Sequence, residues 1–155
     1  MKKPVTDHPG MISSDEEKLI KSIVLDSYLN NSSCFIEIGP WLGKSTYCIL
    51  DAIENIYLPK NSGPPLLACY DRFIWSEMYA RSVQNYSSFS SFYELDKLRE
   101  GESFQSNFEK IIENHPSKIL VTSSIREVSE ISLDDFISFS SSRDISAFFI
   151  DASKN

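Results

Sequence analysis

The sequence predicts one α/β domain built on a parallel sheet, and three observations carry that expectation. Apolar runs of strand length recur at residues 34–38, 66–70, 118–122 and 145–150. Segments with apolar residues at helical spacing separate them. Acidic or hydroxyl-bearing residues stand at or just after the ends of the runs: Glu37, Asp71, Thr122 to Ser124 and Asp151. Strands alternating with helices give a parallel sheet wound by right-handed crossovers, and such sheets bind ligands at the carboxyl ends of their strands.

A chain of 155 residues is the length of one ordinary domain. Acidic residues outnumber basic ones 22 to 15, giving a net charge of −7. The basic residues are scattered, which argues against a nucleic-acid footprint or a polybasic membrane patch. No apolar run approaches the roughly 20 residues of a membrane span, and no apolar segment follows Met1-Lys2-Lys3 as a signal peptide would require. The expectation is a soluble cytoplasmic protein with no membrane or nucleic-acid partner. Cys34, Cys48 and Cys69 form no C-x-x-C pair and sit in or beside apolar runs, so they read as reduced, buried thiols.

Residues 1–13, with Pro4, Pro9 and Gly10, read as an irregular arm, and residues 14–155 as the domain proper. Ser14 and Glu17 have capping-box spacing, and Leu19, Ile20, Ile23, Val24 and Tyr28 recur at helical spacing, predicting an amphipathic helix over 14–30. After the first strand, Gly39 to Gly43 is a turn feeding a helix that starts near Lys44 and ends before Pro59. Ile49, Leu50, Ile53 and Ile56 form its buried face. Residues 59–65 are a Pro- and Gly-rich loop before the second strand. The aromatics of 72–100 have no sustained period, which predicts a mobile insert with short helical turns, either a lid or a packing surface. Ser103 caps a helix carrying Phe104, Phe108, Ile111 and Ile112 and stopped by Pro116. A third strand over 118–122, a short helix from Ser132 and a fourth strand over 145–150 complete the order. The fourth strand is apolar on both faces, as a central strand would be; left at an edge, it invites pairing with another chain.

The segment from Glu37 to Thr46 carries the most chemistry. Gly39 permits a sharp turn off the strand, and Gly43 permits close approach of backbone to a ligand. The helix start after Gly43 presents free N–H groups that suit an anion. Gly39 and Gly43 enclose only three residues, one too few for a phosphate-wrapping G-x-x-x-x-G-K-[ST] loop, and the G-x-G-x-x-G dinucleotide pattern is absent. Glu37 suits a ligand amino group and would repel a polyphosphate. A helix N-terminus suits a carboxylate, and Asp71 can accept hydrogen bonds from both hydroxyls of a ribose. An amino acid joined to a ribose describes S-adenosylmethionine.

The run Glu37-Ile-Gly-x-Trp-x-Gly-x-Ser-Thr46 resembles motif I of class I S-adenosylmethionine-dependent methyltransferases, particularly the small-molecule O-methyltransferase branch. Asp71 matches that family's ribose-binding acid, and Phe149-Ile-Asp-Ala-Ser-Lys-Asn155 resembles the end of its fourth strand, which reads F-[IV]-D-A-D-K-x-N. The resemblance implies a Rossmann-like three-layer parallel sheet of seven strands, of which this sequence supplies about four, the C-terminal strands being absent. It implies cofactor contacts at Glu37, Gly39, Trp41, Gly43, Ser45, Asp71, Ser123 and Ser124, and transfer of a methyl group to a small-molecule or sugar acceptor. Two departures stand out. Thr122-Ser123-Ser124 replaces the acid usual beside the adenine. Asp151 matches one ligand of a divalent cation, but Ser153 replaces the second acid, and one carboxylate is not a metal site.

Simpler readings stand beside these. Trp41 also suits packing over the loop, Lys44 a solvated helix start, and His8 and His115 have no carboxylate or cysteine at useful sequence spacing. No G-x-S-x-G elbow exists for a serine hydrolase. Two alternative functions follow: a non-catalytic α/β interaction module pairing or self-associating through the 145–150 strand, and a P-loop-like nucleotide hydrolase using Lys44.

Overall fold

The computed structural model describes residues 8–10, 12–29, 34–54, 65–115, 120–125, 134 and 145–150. It holds α1 (Ser14–Leu29), β1 (Cys34–Ile38), α2 (Lys44–Glu54), β2 (Leu66–Asp71), α3 (Glu77–Ser82), α4 (Ser87–Phe92), a 3-10 turn (Leu95–Lys97), α5 (Gln105–Glu113), β3 (Leu120–Ile125) and β4 (Ile145–Ile150). The four strands form one parallel sheet in the order β3-β2-β1-β4. This is a Rossmann-like α/β fold: chain order runs one way through β1, β2 and β3 and reverses between β1 and β4.

Strand alternation divides the core. Phe35, Leu67 and Cys69 face the main cluster with Val24 of α1, Ile49, Leu50 and Ile53 of α2, and Phe108, Ile111 and Ile112 of α5. Ile36, Ile38, Ala68 and Tyr70 are buried on the opposite face. A register irregularity between Cys34 and Phe35 lets Ile145 join that second face while Ala147 and Phe149 pack on the first. Both faces are therefore buried, which is why β1 and β2 read as continuous apolar runs rather than alternating ones. Among the described residues Cys34, Cys48 and Cys69 form no disulfide, and all three are buried, as their setting predicts.

Four expectations change. The capping box lies one residue earlier: Ser13 donates its N–H and hydroxyl to Glu16 at 2.7 Å each, and Glu16 N–H returns to Ser13 Oγ at 3.3 Å. The apolar face of α1 is only partly covered, with Val24 fully buried and Ile20 packed on the core but Leu19 58% and Ile23 36% exposed; sequence spacing defines a stripe without saying what covers it. β3 ends later than its apolar run suggests, so Ser123 and Ser124 lie inside the strand, paired with Cys69 and Tyr70, and do not follow it.

The largest correction concerns residues 72–100. They form short helices as expected, but they are built into the core and not a mobile insert. Phe73, Trp75, Val83, Phe89, Tyr93 and Leu95 are all buried in the main cluster. The backbone returns to the helix that follows: Trp75 N–H donates to Glu102 O at 2.7 Å and Phe104 N–H to Phe73 O at 2.8 Å. Short helices with irregular turns between them bury aromatics from several directions, which is why no single period shows in the sequence. Phe89→Ala is expected to lower the unfolding free energy by about 3–5 kcal/mol in urea titration, the usual cost of emptying a buried aromatic site. A loss within about 0.5 kcal/mol, typical of surface positions, would show that the segment lies apart from the core.

Candidate functional site

The site begins with a buried acid. Glu37 is 1% exposed and lies on the α2 side of β1. A carboxylate in such a place must find donors, since its desolvation costs several kcal/mol otherwise. The first turn of α2 supplies them: Ser45 Oγ donates to Glu37 Oε1, and Thr46 Oγ1 donates to Oε2 at 2.6 Å. Cys69 Sγ on the neighbouring strand approaches Oε2 at 3.7 Å, and burial together with the Glu37 charge holds that thiol well above its usual pKa. Glu37 thus ties the start of α2 to the end of β1.

Between these two anchors the chain turns through Gly39 (φ 78°), Trp41 (φ 45°) and Gly43 (φ 84°). Glycine adopts such angles without penalty, whereas Trp41 there costs on the order of 1 kcal/mol. A Cβ on Gly43 would come within 2.9 Å of Ile112 Cδ1 and 3.3 Å of Phe108 Cε2. The close approach at Gly43 is to α5.

Asp71 is the last residue of β2 and is half-buried. Its Oδ1 accepts the N–H of Phe73 at 3.0 Å, and its carboxyl also accepts backbone N–H groups of Trp41 and Arg72. Phe73, like Trp41, has a left-handed backbone (φ 51°). One carboxyl group thus holds two strained turns that leave adjacent strands. Burial pushes its pKa up, opposed by these N–H bonds and by the Arg72 guanidinium. Gly39 N–H donates to Tyr70 O at 2.8 Å, so Gly39 and Asp71 stand side by side at the carboxyl end of the sheet.

The rest of the loop is covered. The Trp41 ring packs on Tyr79 of α3 at 5.6 Å, and its buried Nε1 has no hydrogen-bond partner among the described residues. The arm closes over the start of α2. Pro9 is buried, and a Cβ on Gly10 would overlap Lys44. Lys44 Nζ reaches Ile12 O at 3.2 Å and Glu17 at 3.2 Å, so it is tethered to the arm and α1, in contrast to the solvated side chain its sequence setting suggests. His8 lies between Tyr47 and Phe89, with centroids at 4.7 and 4.9 Å, and its Nε2 is 2.5 Å from Leu42 O. A carbonyl only accepts, so the ring carries its proton on Nε2.

Of the residues singled out in the sequence, Glu37, Gly39, Trp41, Gly43, Ser45 and Asp71 come together around this turn. Ser123 faces α5, donating to Glu109 Oε1 at 2.6 Å and accepting from Gln105 Nε2 at 2.8 Å. Ser124 is part-exposed in β3, beside Tyr70. Asp151 lies outside the described residues. Two histidines escape sequence reasoning. His8 meets its partners only through the folded arm, and His115 Nε2 lies 3.0 Å from Asp51 Oδ1, a carboxylate 64 residues away in sequence.

Two outcomes test this arrangement. Thr46→Val keeps the shape but removes a donor to a buried charge, and is expected to cost about 1.5–3 kcal/mol in urea unfolding. A neutral result would mean Glu37 is not held by that hydroxyl. Burial pushes the pKa of His8 from 6.5 down to about 4, the Leu42 carbonyl opposing and the Lys44 charge reinforcing the change. The unfolded chain therefore takes up the His8 proton first, so the contribution of the neutral ring is complete above pH 6.5 and is lost as pH falls toward 4. Stability of the native chain relative to His8→Phe is expected to drop by up to about 3 kcal/mol across that window; parallel pH profiles for the two proteins would refute it.

Among solved structures, the chain is similar to the O-methyltransferase TomG from Streptomyces achromogenes, involved in tomaymycin synthesis and solved in complex with SAM. The identity is 18%, over 97% of this chain and 48% of that one, with a TM-score of 0.43. The chain spans about half the length of that structure. No family model matches the chain, and no curated protein matches it.

Proposed function

We propose that this chain binds S-adenosylmethionine at the Gly39–Asp71 end of the sheet and serves methyl transfer to a small-molecule or sugar acceptor. The observation that carries the reading is the placement of the glycine turn and Asp71 together. They leave the carboxyl ends of adjacent strands, and the turn sits where strand order reverses from β2-β1 to β4. Open parallel sheets bind nucleoside ligands at such a point.

The groups present suit that ligand. Asp71 is the half-exposed acceptor for a pair of ribose hydroxyls, and its raised proton affinity favours partners that donate to it. The half-exposed backbone of Gly39 lets a ligand come close, and Trp41 Nε1, without a partner among the described residues, is a donor in the same loop. Glu37, with Ser45 and Thr46, holds the loop in shape from beneath. Ser124 is proposed to border the adenine, while Ser123 is engaged by α5. Bound S-adenosylmethionine supplies an electrophilic methyl group, and the protein's contribution is to align the acceptor and exclude water. Asp151 is proposed to orient the acceptor or help hold a divalent cation.

Two other readings have less support. The P-loop alternative needs Lys44 on a phosphate, and its ammonium is held by Ile12 O and Glu17. The interaction-module alternative, a partner or second copy on the 145–150 strand, draws on one feature: Ile150 is 68% exposed on β4, which has a neighbour on one side only among the described residues. No helix among the described residues is long and apolar enough to cross a membrane.

Calorimetric titration with S-adenosylhomocysteine tests the proposal. Binding in the roughly micromolar range is expected, weakened at least about tenfold by Asp71→Asn. Protein that is folded by circular dichroism yet takes up no ligand would overturn it.

A further inference from the structure

Away from the glycine turn, the far end of α2 meets the far end of α5. Asp51 and Glu54, three residues apart, project from one side of the last turn of α2. His115 follows α5 by two residues and is pinned there: its N–H donates to Ile112 O at 2.9 Å, and its ring stands edge-on to Tyr47 at 4.8 Å. Tyr47 in turn donates its hydroxyl to Ile111 O at 2.7 Å, holding the two helices together. His115 is 6% exposed, Asp51 is half-buried and Glu54 faces solvent. One ligand atom from each lies within 4.8 Å of the other two.

We propose that Asp51, Glu54 and His115 bind a divalent cation of the zinc or cobalt type that clips the end of α2 to the end of α5. One imidazole nitrogen and two carboxylate oxygens are the donor set that such borderline cations take, with water completing a tetrahedron. The electrostatics point the same way. The C-terminus of α5, which carries partial negative charge, lies beside the cluster. The last turn of α2 has no basic residue, and the one basic residue in the last turn of α5, Lys110, is committed to Glu94 at 3.0 Å. Lys21 Nζ approaches Asp51 Oδ2 at 3.6 Å from α1 and leaves Oδ1 on the His115 side. Tetrahedral ligand atoms sit about 3–3.5 Å apart, so Glu54, the exposed member, must swing inward by roughly 1 Å to close the site. Asp51 lies about 10 Å along α2 from its start at Lys44, which makes this a structural clip separate from the proposed cofactor end.

The experiment is titration of the metal-free chain with Co²⁺ alone, followed by visible absorption, with Zn²⁺ competition and thermal unfolding in parallel. One Co²⁺ per chain is expected, displaced by Zn²⁺, with a higher Tm in the bound form. Glu54→Gln, at an exposed position where the fold is safe, is expected to weaken binding by more than about tenfold, and His115→Gln to abolish it. Absence of binding would overturn the proposal and leave a His115–Asp51 hydrogen bond. Binding unchanged in Glu54→Gln would equally overturn it, because the metal would then sit elsewhere. S-adenosylhomocysteine titration of Glu54→Gln keeps the two proposals apart, since that variant is expected to bind it like the native chain.

Discussion

The buried carboxylate of Glu37 is the constraint on which the rest of this structure depends. An acid at 1% exposure inside a parallel sheet is tolerable only with donors aimed at both oxygens. The hydroxyls of Ser45 and Thr46 meet that demand, and in doing so they set where α2 begins and how it sits on β1. The four residues between Ile38 and Gly43 must then double back in a short space. Three of the five positions from Gly39 to Gly43 take left-handed angles as a result.

What surrounds that turn follows from the need to cover it. The chain brings three separate segments onto one loop: Tyr79 of α3 against Trp41, Phe108 and Ile112 of α5 against Gly43, and His8 of the arm against Leu42. Around that turn, Gly39 and Asp71 keep a partly open side at the end of the sheet. Asp71 does two things there, clamping the turns at Trp41 and Phe73 and presenting its carboxyl to one side. The strain stored in those two left-handed residues is borne where a ligand site is proposed, a common arrangement in functional loops.

The two ends of α2 serve different ends electrostatically. At its start, Glu37 accepts from hydroxyls, and Lys44 is drawn off toward Ile12 and Glu17. Further along, the carboxylates of Asp51 and Glu54 concentrate negative charge beside His115. The first arrangement builds a turn, and the second builds a place for a cation.

The sequence by itself determined the element order, the parallel α/β class, the buried thiols and the glycine turn. These depend on local features: apolar run length, helical spacing, and glycines where only glycine turns freely. It also brought Glu37, Ser45 and Asp71 to the end of the sheet, because strand ends can be read from where apolar runs stop. Tertiary structure decided the rest. The 72–100 segment is core because its aromatics point inward from short elements whose directions no period encodes. The β3 boundary lies beyond its apolar run because pairing with β2 carries the strand through Thr122, Ser123 and Ser124, which are polar. His8 on Leu42 and His115 on Asp51 are contacts across 34 and 64 residues. Such pairs exist only once the arm and the two helices have packed, since hydrogen bonds and charges act through space and not along the chain.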